Sequence, residues 1–420
     1  MLIVSSTCMS TVIYFGVTQE KHLIKDEHTL SKWLNLHCKL VKKATGISHV
    51  AYSRHFSYTA IAAYESVVPG YSSFYSLSGQ LPEYNFQPLP LKKNFNCDIS
   101  LNAAYATMLK FFYGSFGTCA ASIDSLEVSI YEAFSQADDQ ASIEESSLFG
   151  QTVAKAVIAW SKTDGSDSKK IYKPVRAEGT WVPAIKPAAP FWSECRSMSP
   201  NLQKAFVLDK PVYSSNKASS FYRMAQEVYN ITTHLTPDQK ATALYWDDSP
   251  NGAYLTVFGH WTSILSGLIK ENEISLVKSL TAYVQMAIAM HDASILAWKG
   301  KYTFNVLRPV TYIQQHIDKN WQPLIETPPH PEFPAAHATL STAAATALTT
   351  VFGDKCKVVD RSYETIGMPA RTYPTILEAA NEAGMSRLYG GIHYRYSIEQ
   401  GNMLGSLVAK HVIQKFKLHR

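Results

Sequence analysis

The chain has 420 residues, 46% of them hydrophobic and 17% charged, and carries a formal net charge of +5. That length allows one large domain or two, with apolar content enough for a large core. The mild charge and the absence of long basic runs argue against a nucleic-acid partner. Beyond the N-terminus no run of about eighteen apolar residues is available to cross a membrane.

Residues 1–20 are signal-like. Met1 to Gln19 carries no charge and includes Leu2-Ile3-Val4 and Val12-Ile13-Tyr14-Phe15, but lacks a basic start. An export signal, implying a periplasmic or secreted protein, and a buried first element of a soluble cytoplasmic one are both open readings. The 6 cysteines are scattered without a Cys-x-x-Cys pair, so they read as free core thiols rather than a zinc or redox site.

From residue 21 to 420 the pattern predicts a single all-α domain. Apolar residues at helical spacing predict helices over 48–67, 101–113, 123–137 and 148–160, the first stopped by Val68-Pro69-Gly70. Residues 77–98 are Pro-rich and polar, hence a loop. Residues 163–211 hold six prolines among Trp181, Phe191 and Trp192 and predict a long irregular strap, either a covering loop or a lid. Further helices are expected over 216–232, 237–246, 260–270, 274–298, 335–351, 374–388 and 398–416. Strand-like alternation is rare. An assembly of helical bundles with its site between helices follows.

Chemistry concentrates between Trp298 and Ser397. Three segments bring cations and imidazoles: Lys301 and Arg308, then His337, then Arg387 and His393. Fixed guanidiniums and an ammonium suit a tetrahedral oxyanion, since an Arg fork gives charge-assisted bonds to two anion oxygens. Two histidines can divide nucleophile or ligand work from proton transfer. Lys301 and Arg308 share a face if one helix carries both, but Pro309 makes a turn or a helix start at Arg308 equally open. Pro334-Ala335-Ala336-His337 reads as a loop entering a helix N-terminus, where free N–H groups favour an anion. Arg387 and His393 would lie on different faces of a straight helix, and Gly390-Gly391 can bend the chain between them.

Lys-x6-Arg-Pro, Pro-x-x-His and Ser-Arg-x5-His in this order resemble the three signature segments of the type 2 phosphatidic acid phosphatase superfamily. Trp298, three residues before Lys301, and His330, seven before His337, resemble its bacterial-type vanadium-dependent haloperoxidase branch. The resemblance implies a superfamily core at about 240–420. It also implies vanadate held by Lys301, Arg308, the Ala336 N–H and Arg387, with His393 bonding the metal and His337 as acid–base residue. Lys301 would add to the electrophilic character of the site, Trp298 would flank the vanadate, His330 would lie near the halide, and Asp248, or Asp247 or Asp292 in its place, would pair with Arg387. The implied reaction oxidises a halide, iodide before bromide, with hydrogen peroxide, and passes the product to a small organic acceptor.

Two positions depart from the pattern. Ala335 replaces a serine that would donate to the oxyanion, and Ser397 replaces an aspartate four residues after His393. Two rival readings follow: a soluble acid phosphatase using a phosphohistidine on the same residues, and a degenerate homologue that binds an oxyanion without turnover. His260, Trp261 and His291 read as structural, and Tyr389 and Tyr394 as wall.

Overall fold

The computed structural model describes residues 29–87, 91, 94–136, 139–202, 208–249 and 252–420. The signal-like segment 1–20 and Cys8 lie outside them. Thirteen α-helices dominate the described residues, and the sole sheet among them is a two-stranded antiparallel pair. The all-α expectation is met. None of the described helices is long and apolar enough to cross a membrane.

The helices are α1 (Thr29–Lys43), α2 (Tyr52–Val67), α3 (Cys97–Tyr113), α4 (Cys119–Ser135), α5 (Gln140–Ser161), α6 (Ser220–Thr232), α7 (Pro237–Tyr245), α8 (Thr256–Asn272), α9 (Leu276–Phe304), α10 (Pro309–His316), α11 (Ala336–Phe352), α12 (Ile376–Tyr389) and α13 (Arg395–Lys415). The strands are β1 (Val358–Asp360) and β2 (Arg371–Tyr373). Helix α1 was not among the expected elements, although Leu30, Trp33, Leu34, Cys38 and Val41 are buried at helical spacing along it.

Helix α9 is the axis. Its 29 residues span about 44 Å, and most of its circumference is buried because apolar residues surround it. It packs against α2 of an N-terminal bundle and against α11 and α13 of a C-terminal one. One hydrophobic cluster extends from Leu30 to Leu418 across both bundles. Buried tryptophans fix the packing only where their N–H finds an acceptor: Trp33 donates to Asn102 Oδ1 at 3.0 Å, and Trp261 to Ser341 Oγ at 2.9 Å.

Helix α11 is rich in alanine and threonine, so α13 approaches it closely. A Cβ on Gly405 would lie 2.2 Å from the Thr339 carbonyl oxygen, and one on Gly401 2.8 Å from that of Ala335. Glycine is required there by packing.

The described part of the strap, 163–202 and 208–211, covers the end of α9. It includes a 3-10 turn at Trp192–Glu194. Trp192 Nε1 donates to Ser294 Oγ at 2.9 Å, and the Ala188 carbonyl accepts from Trp298 Nε1 at 3.3 Å and Tyr302 Oη at 2.7 Å. The five described cysteines, Cys38, Cys97, Cys119, Cys195 and Cys356, are free thiols.

Candidate active site

Helix α9 stops at Phe304 because Asn305 turns left-handed, with φ 50°. Pro309 then takes the first position of α10 with Arg308 as its N-cap, at φ −72° and ψ 150°. Lys301 and Arg308 therefore do not share a helix. The break is what lets Arg308 turn inward. Helix α11 begins at Ala336, so the first-turn N–H groups of Ala336 and His337 have no acceptor within the helix. After α12, Gly391 at φ 78° reverses the chain and brings His393 back towards Arg308.

These segments meet at a cavity of about 980 Å³ lined by Trp298, His330, Ala336, His337, Arg387 and His393, with the strap forming part of its mouth. The 3-10 turn His49–Ala51 adds His49 to the wall. Lys301, Arg308 and Asp248 stand behind the wall, all buried.

Arg308 organises this rear layer. Its Nε donates to the His330 carbonyl at 3.0 Å and one terminal nitrogen to the Ile392 carbonyl at 2.8 Å. That nitrogen also lies 3.2 Å from His393 Nε2, and the other terminal nitrogen 2.9 Å from His330 Nδ1. A guanidinium only donates, so both imidazole nitrogens must accept. The proton of His393 therefore sits on Nδ1, 2.7 Å from Glu332 Oε1, and Nε2 presents its lone pair. Burial, reinforced by Arg308 and Lys301, pushes the His393 pKa well down and keeps the ring neutral. Burial and the same two cations do so for His330.

Lys301 spends its ammonium on three carbonyls: Pro331 at 3.2 Å, Glu332 at 3.1 Å and Pro334 at 2.6 Å. Burial and Arg308 push its pKa well down, against the pull of Glu332. In this arrangement it braces the loop ahead of α11 and adds positive charge behind the wall. Arg387 is held by backbone acceptors: Trp246, Asp247 and Ala243 carbonyls, with Ser386 Oγ at 2.9 Å from its Nε. Burial brings both arginines down to about 10, so both stay charged at neutral pH.

Asp248 makes no direct ion pair with Arg387, the partner expected for it, and acts on that guanidinium as a nearby charge. Its carboxylate faces His260 Nδ1 at 2.9 Å, the Tyr363 hydroxyl, and His337 Nε2 at 3.4 Å without an aligned hydrogen bond. The physical reason lies behind it. His260 Nε2 also meets Asp360 Oδ2 at 2.7 Å, so both ring nitrogens point at carboxylates and both carry protons. Burial alone would lower the His260 pKa, but Asp248 and Asp360 raise it to about 10. Burial would likewise raise Asp248, and His260 with His337 holds it well below the carboxylate range. His260, expected to be structural, is thus the centre of a buried Asp360–His260–Asp248 chain ending at His337. The short β1–β2 pair, with Asp360 opposite Arg371, delivers Asp360 to it.

His337 keeps 17% of its side chain exposed, onto the cavity. Burial and Arg387 lower its pKa to about 4, with Asp248 opposing, so it is neutral at neutral pH. Ser397, the second departed position, donates its hydroxyl to Glu332 Oε2 at 2.6 Å. The carboxyl that position 397 lacks is supplied from the loop. Nothing in the sequence pattern marks Glu332, Asp360 or His49, and only the fold brings them to the motif residues.

The donor set fits a tetrahedral oxyanion: Arg387 and a helix N-terminus on the wall, Arg308 behind it, and an imidazole lone pair among them. A family model described as the VCPO second helical-bundle domain matches residues 281–420; its start falls inside α9. The fold is similar to the crystal structure of the first bacterial vanadium-dependent iodoperoxidase, with TM-score 0.86, 29% identity, and 93% of this chain and 97% of that chain covered. It is also similar to a holo-type bacterial vanadium-dependent chloroperoxidase, with TM-score 0.66, 15% identity, and 89% and 94% covered. No curated protein sequence matches the chain.

Proposed function

We propose that this chain, an enzyme of the vanadium haloperoxidase type, oxidises iodide with hydrogen peroxide at a vanadate held against His393. The observation that carries the reading is the Nε2 lone pair of His393, 3.2 Å from the Arg308 guanidinium, on a wall shared with Arg387, Ala336 and His337. Iodide is favoured because it is the easiest of the halides to oxidise, and because the relative with 29% identity is an iodoperoxidase.

Bound vanadate would supply Lewis-acid activation of hydrogen peroxide without a redox change at the metal. His393 would be the metal's protein ligand through Nε2. Arg308, Arg387 and the Ala336 N–H would bind the oxyanion oxygens, and their charge, with that of Lys301 behind them, would stabilise negative charge developing on oxygen. Peroxide reduction to water with oxidation of iodide to hypoiodous acid consumes one proton. His337, neutral and open to the cavity, would move protons there, with the Asp248 carboxylate 3.4 Å from its Nε2. Trp298 and His330, with ring centroids 5.2 Å apart, would form the apolar side facing the halide. The cavity volume leaves room for a small organic acceptor at the mouth.

A paired assay tests this on purified protein. One arm follows iodide and bromide oxidation by hydrogen peroxide before and after vanadate is added. The other follows phosphate-ester hydrolysis without vanadate, and His393→Ala is the control in both. Vanadate-dependent iodide oxidation lost in the variant is expected. Ester hydrolysis that vanadate inhibits, without halide oxidation, would replace the reading with a phosphohistidine phosphatase. Silence in both arms would favour an oxyanion-binding homologue without turnover.

A further inference from the structure

Glu332 is fully buried, yet its carboxyl avoids the two buried cations nearest to it. Lys301 reaches only the backbone carbonyl of Glu332, and the carboxyl turns to the other side. There Oε1 accepts from Nδ1–H of His393 at 2.7 Å and from the Tyr394 N–H at 3.1 Å. Oε2 lies 2.6 Å from Ser397 Oγ. A carboxyl placed only to neutralise charge would touch Lys301 or Arg308. This one is anchored at three points around one imidazole, and all three groups lie within five residues of chain, from His393 to Ser397.

We propose that Glu332 is a positioning residue for His393: it fixes the ring with Nε2 towards the oxyanion and strengthens Nε2 as a metal ligand, while Ser397 holds the second carboxyl oxygen. The proposal rests on the reading of His393 as the vanadium ligand. A carboxylate that accepts the Nδ1 proton pushes electron density onto Nε2, which makes the lone pair a better donor to a metal. The same negative charge weakens the pull of the site on any anion held by charge alone. The two effects have opposite signs, and two oxyanions separate them. Inorganic phosphate at the site is held by charge and hydrogen bonds. Vanadate takes the Nε2 lone pair as well.

The experiment measures dissociation constants of vanadate and of inorganic phosphate by calorimetry on the metal-free protein. It compares wild type, Glu332→Gln, Ser397→Ala and His393→Ala, each checked by its melting temperature. In Glu332→Gln vanadate binding is expected to weaken roughly 10- to 100-fold, while phosphate binding holds or tightens. Ser397→Ala is expected to move vanadate the same way by less, and it decides the matter by the same criterion if Glu332→Gln does not fold. Unchanged vanadate affinity would overturn the proposal. So would equal weakening of both anions, which is what a merely structural carboxyl would give. His393→Ala should erase the preference for vanadate over phosphate. If that preference survives, the ligand reading fails. If it is lost while Glu332→Gln binds as wild type does, only the proposal for Glu332 fails.

Discussion

At the scale of single residues, the molecule tolerates buried charge by giving each group its own partners, since an unpaired buried charge costs several kcal/mol. Lys301 takes carbonyls, Arg387 takes the carbonyls ahead of α8, and His260 takes two carboxylates. The last arrangement has a pH signature. The folded pKa of His260 is raised from 6.5 to about 10, so its contribution to stability is fully present below 6.5 and is lost as pH rises through about 10. Asp248 is depressed, so its contribution is present above the ordinary carboxylate range and lost in acid. Wild-type stability should therefore fall between pH 6.5 and about 10, by at most about 1.4 kcal/mol per pH unit from this group. His260→Gln should melt lower at the acid end of that window and show a flatter slope across it. Parallel melting curves for the two proteins would contradict the linkage. The motif residues were legible because their types and spacing recur in sequence. Glu332 and Asp360 were not, because a carboxylate's role here depends on which imidazole the fold places beside it. Asp248 acts on Arg387 through charge rather than direct contact for the same reason: nothing local in the chain announces that His260 competes for Asp248.

At the scale of elements, the site depends on where α11 begins, and the α11–α13 crossing sets that. Gly405→Ala would push a methyl to 2.2 Å from the Thr339 carbonyl oxygen, so α13 must shift or α11 must tilt. A loss of about 1–3 kcal/mol is expected, measured by urea unfolding, together with weaker vanadate binding, because Ala336 and His337 move with α11. Gly267→Ala in α8 is the matched control. Its Cβ would meet only the Val359 carbonyl oxygen at 3.9 Å, and alanine is the better helix former by up to about 1 kcal/mol. Equal destabilisation by both would mean that the crossing is not the constraint. Most helices were legible from apolar spacing, with ends off by a few residues where capping decided the boundary. The predicted start at Leu148 falls well inside α5, which begins at Gln140 behind the Asp139 cap. The open choice at Arg308 was settled by Asn305, whose left-handed turn ends α9 before Pro309 starts α10. The β1–β2 pair was not legible. Three-residue strands carry too little alternation to read, and their register serves Asp360 rather than a sheet core.

At the scale of the whole molecule, α9 joins two bundles and ends at the site, so burial along its length fixes Trp298 and Lys301 from behind. The strap is tied to α9 through Ala188 and Trp192 and closes one side of the cavity from the same axis. The central claim is that these parts converge to hold one vanadate on His393. A crystal structure of the protein soaked with vanadate tests it most directly. The metal is expected on His393 Nε2, with its oxygens on Arg308, Arg387 and the Ala336 N–H. Vanadate bound elsewhere in the cavity, or bound with His393 Nε2 still facing Arg308 alone, would contradict it.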